Sequence, residues 1–172
     1  YHENGFDFLP SPIISSREPQ EFQLMNWGLI PWWVKSLPDG LKLRTQTLNC
    51  ISEEMFDKPS FRDAANDGQR CLIPCSGFFE WRWMDEKGKT KIPYYITLQN
   101  QPVFSIAGLF STWKDRQTDV EYRTYTVLTT KANPYMEKIH NSKKRMPVIL
   151  PLEYEKDWLN PTLNKDDVLA LC

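Results

Sequence analysis

A chain of 172 residues is long enough to bury one substantial core and short for two. Its 41% hydrophobic and 25% charged content is that of a folded globular protein and excludes wholesale disorder. A net charge of −1 excludes a protein that coats long duplex DNA, so any nucleic-acid site must be a local patch for a short stretch of strand. Aromatic residues at 13%, with seven Trp, point to a strand-rich core, a stacking surface, or both. Cys50, Cys71, Cys75 and Cys172 are too few and too irregularly spaced for a disulfide scaffold, and they read as reduced thiols of a cytoplasmic protein. No apolar run approaches a membrane span and no signal peptide is visible. The first residue is Tyr1 rather than Met, and the opening residues read like the middle of a protein; the expectation is a further N-terminal segment.

The Pro- and Ser-rich residues 1–20 predict irregular chain with one short strand. Glu21 to Ile30 predicts a strand that runs into the segment WGLIPWW, residues 27–33. Pro31 and Pro38-Asp39-Gly40 predict a loop. Thr47 to Phe56 carries no clear periodicity. Pro59-Ser60-Phe61 opens a short predicted helix to about Asn66, closed by Gly68. Five strands follow, at residues 70–74, 77–84, 91–98, 103–113 and 121–130, rich in β-branched and aromatic residues and separated by short polar turns. Ala132 to Ile139 reads as a short helix, residues 140–147 as a loop, Val148 to Leu150 as a strand, and Pro151 to Leu159 as a helix. Asn164 is the N-cap of a final helix, with Asp167 at its third position. The expected architecture is one α+β domain over residues 1–172, built on a curved, largely antiparallel, barrel-like sheet with a few short flanking helices.

The candidate chemistry starts with GFFEWRW, residues 77–83. Alternate residues of a strand share a face, so Phe79, Trp81 and Trp83 point one way and Phe78, Glu80 and Arg82 the other. A carboxylate among apolar neighbours suits general acid–base work, although the strand alone reads more readily as a structural ion pair. His140 is one of two His and stands just before a basic loop, where an imidazole can shuttle protons beside an anionic substrate or simply make a structural hydrogen bond. Lys143, Lys144 and Arg145 form a small basic cluster able to neutralise phosphates or to remain a solvated charge run. Trp27, Trp32 and Trp33 bracket Gly28 and Pro31; such a rigid loop can stack on splayed bases or pack into the core. Cys71 and Cys75 are separated by Leu72-Ile73-Pro74, not the zinc spacing of two residues, and read as small core residues with no metal expected.

Taken together the segments say more. NWGLIPWW (26–33), Leu48-Asn49 followed by KPSFR (58–62), RCLIPCSGFFEW (70–81), KIPYYI (91–96), FSIAGLF (104–110) and IHNSKKRMPVIL (139–150) resemble, in order, the SRAP family of SOS response-associated peptidases. The resemblance covers about Trp27 to Leu159.

The resemblance implies action on abasic sites in single-stranded DNA. In that family a cysteine follows the initiator Met, and removal of the Met exposes an α-amine beside a thiol. The amine condenses with the open-chain aldehyde of the abasic sugar, and the thiol closes a thiazolidine ring. An α-amine with a pKa of about 8 is partly neutral and nucleophilic near pH 7. By position, Asn49, Glu80 and His140 match the family's active-site asparagine, glutamate and histidine. The resemblance gives Glu80 proton transfer during Met removal and imine formation, and gives His140 sugar ring opening and reversal of the cross-link. Asn49 would orient the amino terminus or the sugar. Trp27, Gly28, Pro31, Trp32, Lys143, Lys144 and Arg145 would hold a kinked strand. Single-stranded DNA is the expected partner, with no cofactor, no membrane and a monomeric protein.

The departures matter. The family reads NAR followed by Glu-Thr, whereas this chain reads Asn49-Cys50-Ile51-Ser52-Glu53-Glu54. Ile51 replaces a phosphate-contacting arginine and Glu54 puts an anion near a polyanion, so DNA binding on this side should weaken. The loop from His140 to Arg145 is longer than in many members, and none of the four cysteines matches the nucleophile. Two alternatives therefore stand beside a cross-linking enzyme: a non-catalytic single-stranded nucleic-acid binding module, and a peptidase acting on other proteins.

Overall fold

The computed structural model describes residues 3–172; Tyr1 and His2 lie outside the described residues. Alternating apolar residues and Pro, Ser or Gly turns produce ten strands among the described residues: β1 (Pro10–Ser15), β2 (Glu18–Trp27), β3 (Asn49–Ile51), β4 (Arg70–Cys75), β5 (Phe78–Trp83), β6 (Lys91–Ile96), β7 (Phe104–Lys114), β8 (Glu121–Lys131), β9 (Arg145–Pro147) and β10 (Ile149–Leu150). The α-helices are short: α1 (Leu37–Arg44), α2 (Arg62–Asn66), α3 (Met136–Ile139), α4 (Glu155–Trp158) and α5 (Lys165–Ala170).

Five strands close a ring. β1 pairs with β2, β2 with β8, β8 with β7, β7 with β4, and β4 again with β1. The fold is therefore α+β around a closed barrel, as the strand pattern predicts, but the barrel is mixed. β2 and β3 both run parallel to β8, and the connection through residues 28–48 brings the chain back to the same edge in the same direction. Closure leaves the ring without a free edge.

The barrel interior is filled by Ile13, Met25, Cys71, Phe104, Ile106, Phe110, Tyr125 and Val127, the inward-facing alternates of their strands. Gly108 lies on the same inward row; a Cβ there would come within 2.7 Å of Thr126 O and 2.9 Å of Cys71 Sγ. A second core lies outside the barrel wall, where α2, α4 and α5 cover Leu72, Ala107, Leu109 and Leu128. Its centre is the fully buried Trp158, whose Nε1 donates to Cys71 O at 3.0 Å.

Pro38-Asp39-Gly40 is not a loop. It lies in the first turn of α1, because Ser36 caps the helix by accepting from Asp39 N and proline is tolerated there. The predicted loop over residues 140–147 ends in β9, and the strand predicted at Val148 to Leu150 is the short β10. The predicted helix from Pro151 becomes a 3-10 turn (Leu152–Tyr154) followed by α4. Asn164 caps α5 by accepting from Asp167 N, as predicted. No helix of the described residues is long and apolar enough to cross a membrane.

Candidate functional site

β8 organises the site. Its C-terminal half runs between β3 on one side and β9 on the other. Asn49 and Ile51 align with Val127 and Thr129, while Pro147 and Arg145 align with Thr129 and Lys131. Residues aligned across a ladder share a face. Val127 faces the barrel interior, whereas Leu128 and Cys50 turn into the outer core. Asn49, Ile51, Thr129 and Arg145 therefore share the face that continues the barrel interior beyond its end. Two strands remote in sequence thus bring Asn49 and Arg145 onto one surface. The Asn49 side chain makes no hydrogen bond among the described residues and is exposed.

β5 and β6 form a separate two-stranded sheet. It docks on α3: Phe78, Tyr94 and Ile96 pack against Ala132, Met136, Ile139 and Met146. This places Phe78 and Glu80 on the packed face and leaves Phe79 and Trp81 more than two-fifths exposed on the other, as strand alternation predicts. Glu80 is brought to the end of α3, where His140 is the C-cap residue. Glu80 Oε2 and His140 Nδ1 are 3.5 Å apart, and both side chains are about four-fifths buried. Glu80 Oε1 accepts from Trp81 N at 2.9 Å.

His140 Nδ1 has a closer partner, the carbonyl oxygen of Arg145 at 2.7 Å. A carbonyl can only accept, so Nδ1 carries the proton and Nε2 is left to take or give one. Lys144, in a left-handed conformation at φ 52°, makes the turn that brings Arg145 back; its N–H donates to His140 O at 3.0 Å.

The Arg145 guanidinium is engaged twice. It donates to both carboxylate oxygens of Glu53, at 2.8 and 2.6 Å, and also to Thr129 O. This fork holds the Glu53 carboxyl down to about 2, chiefly through the hydrogen bonds from Arg145. Glu53 is a site residue that the sequence does not single out, since its partner lies 92 positions away. Glu54 pairs instead with Lys58 on the surface, and Ile51 is 40% exposed beside this clasp.

The remaining candidates divide. Trp27 is half-buried: its indole N–H donates to Leu48 O at 2.7 Å and its ring stacks on Tyr125. Gly28, at φ +96°, is buried against Arg44, and Pro31 is buried as well. Trp32 is 62% exposed, with its N–H on Asp63 at 2.7 Å, and lines a polar cavity of about 300 Å³ with Arg17, Asp63 and Asp67. Lys143 and Lys144 are exposed in the loop beside His140, Lys144 within 4.0 Å of Glu137. Burial pushes all four thiols upward, Cys75 to about 11 and Cys172 to about 12.

Known proteins resemble this chain in sequence and in fold. Residues 6–172 match the family described as "SOS response associated peptidase (SRAP)". The chain is 41% identical over 157 residues to the abasic site processing protein YoqW of Bacillus subtilis, covering 91% of this chain and 65% of YoqW. It is 32% identical over 154 residues to the abasic site processing protein HMCES of Xenopus tropicalis, covering 79% of this chain and 44% of HMCES. A crystal structure of a Bacteroides thetaiotaomicron protein superimposes with a TM-score of 0.92 at 44% identity, over 99% of this chain and 71% of the other. The chain thus spans somewhat less than two thirds of the length of YoqW.

Proposed function

The chain belongs to the SOS response associated peptidase (SRAP) family, and from that premise we propose that the protein processes abasic sites in single-stranded DNA by covalent cross-linking. The observation that carries the reading is the meeting of Glu80 and His140 at 3.5 Å, beside a surface shared by Asn49 and Arg145. The names of YoqW and HMCES supply the substrate class.

The nucleophile is an N-terminal cysteine of the full-length protein. Cys50, Cys71, Cys75 and Cys172 cannot take that place, since burial raises their thiols and a cysteine inside a chain has no free α-amine. The α-amine adds to the sugar aldehyde at C1′, water leaves to give the imine, and the thiolate adds to the same carbon to close the thiazolidine. Removal of the initiator Met precedes these steps. Glu80 takes the proton released when the amine adds and returns it to the departing hydroxyl. His140 in its protonated form, with Nδ1–H held by Arg145 O, gives the Nε2 proton to the sugar ring oxygen as the C1′–O4′ bond breaks, and the C1′ hydroxyl releases its proton to water as the aldehyde forms. Asn49 orients the sugar or the amine by hydrogen bonds. Lys143 and Lys144 contact the strand backbone, Trp32 offers an exposed stacking face, and Arg145, its charge met by Glu53, holds the loop after His140 against β8.

An incubation of the full-length protein with a single-stranded oligonucleotide carrying one abasic site, followed by a denaturing gel, tests this. A heat-stable adduct that forms on the order of a hundredfold more slowly in Glu80→Gln is expected. No adduct from a protein whose processed N-terminus is cysteine would overturn the reading, and binding without adduct would favour a non-catalytic module.

A further inference from the structure

Glu80 and His140 come from different elements. β5 and β6 share no strand pairing with the barrel, while His140 belongs to the loop that leads into β9. Their 3.5 Å separation needs something to set it. Packing of Phe78, Tyr94 and Ile96 on α3 is one support, but apolar contact is non-directional and does not prevent the hairpin from sliding along the helix.

A second support is directional. Asn141, next in the chain to His140, accepts from Trp83 N at 3.0 Å through Oδ1 and donates to Trp83 O at 2.9 Å through Nδ2. Trp83 pairs with Lys91 on its inner side, so the groups Asn141 takes are those of a free strand edge. A carboxamide presents one acceptor and one donor in a plane, as a peptide unit does. Asn141 thus fills the place of one residue of a neighbouring strand and fixes β5 in register against the loop. Trp83 stands three residues beyond Glu80 on the same strand, and Asn141 stands one residue beyond His140. The splint therefore spans the same gap as the Glu80–His140 contact.

We propose that Asn141 is a positioning residue that sets the Glu80–His140 distance for the cross-linking reaction, acting on Glu80 through the backbone of Trp83. The proposal rests on the function proposed above. Asn141 is exposed, and both of its side-chain hydrogen bonds run to the backbone of Trp83. Asn141→Leu keeps the approximate shape and removes both hydrogen bonds, whereas Asn141→Asp keeps the acceptor for Trp83 N and loses the donor to Trp83 O.

The experiment uses the full-length protein and two single-stranded oligonucleotides, one with an abasic site and one with an unreactive tetrahydrofuran analogue. Asn141→Leu should slow adduct formation on the order of ten- to a hundredfold while leaving affinity for the analogue within about twofold of wild type. Asn141→Asp should fall between the two. Because Asn141 acts through Glu80, Asn141→Leu added to Glu80→Gln should cost nothing further. A wild-type rate in Asn141→Leu, or losses that multiply in the double variant, would overturn the proposal. If the wild-type protein forms no adduct, the cross-linking reading fails, and two activity-independent signals still decide the splint. Trp83 amide exchange should accelerate in Asn141→Leu and the His140 imidazole NMR signals should move; unchanged signals would overturn it.

Discussion

The imidazole of His140 donates from Nδ1 to the carbonyl oxygen of Arg145, five residues further along the chain, at 2.7 Å. The Glu80 carboxylate is nearer to a spectator of that bond than to a partner in it, since its 3.5 Å separation from Nδ1 is longer than a good hydrogen bond. His140 is therefore a base or acid through Nε2, with Nδ1 committed to holding the ring. Its roles divide between the two nitrogens, and variants can separate them.

His140→Asn places an amide N–H close to where Nδ1 sits and removes Nε2. Its thermal midpoint is expected to stay within a few degrees of wild type, while adduct formation falls by a factor of about 100 or more, the usual contribution of a general acid–base group. His140→Ala loses both nitrogens and should also lower the midpoint. Thermal melts and timed denaturing gels on the same preparations check both. Equal rates for His140→Asn and wild type would remove Nε2 from the chemistry.

The Glu53–Arg145 fork makes stability depend on pH in a defined window. The folded carboxyl lies at about 2 against an ordinary value of 4.5, so it is depressed on folding. Such a group contributes stability that is fully present above pH 4.5 and is lost as pH falls towards 2. Glu53 is about half exposed, and solvent screening limits the effect to no more than about 1 kcal/mol. Urea midpoints of wild type and Glu53→Gln should differ at pH 6 and converge towards pH 2. A constant difference across that range would remove the carboxylate as its source.

Ile51 lies 40% exposed on the face that carries Thr129 and Arg145. Ile51→Arg is expected to tighten binding of single-stranded DNA regardless of sequence. If the new guanidinium meets one phosphate, the slope of log affinity against log salt steepens by about 0.7. Fluorescence anisotropy across a potassium chloride series measures it. An unchanged slope would mean that the strand does not pass over β3.

Gly108 tests the barrel. Gly108→Ala puts a methyl within 2.8 Å of Ile73 Cδ1 and 2.7 Å of Thr126 O, with backbone on one side and a packed core on the other. Overpacking of this kind costs about 1–3 kcal/mol, and a lower thermal midpoint by calorimetry is the expected result. An unchanged midpoint would indicate that the interior can relax around the methyl.

Much of this protein is written locally. The strands β4 to β8 follow from alternation and from polar turns, and the Asn164 cap follows from two residues three apart. The pointing of Glu80 follows from strand period alone. These features depend on neighbours in the chain, so the order of residues determines them. α1 escapes because Pro38-Asp39-Gly40 reads as a turn until Ser36 is seen to cap it. What only the tertiary structure decides is where distant segments meet. The parallel pairing of β2 with β8 closes the barrel, that of β3 with β8 puts Asn49 opposite Val127, and no local pattern encodes a crossover partner. The Glu53–Arg145 fork spans 92 positions and the Asn141–Trp83 splint 58, and each depends on a polar side chain that looks like ordinary surface until its partner arrives. Residue types and periods set what each strand offers; packing sets which offers are taken, because hydrogen-bond partners are chosen by distance in space and not by distance along the chain.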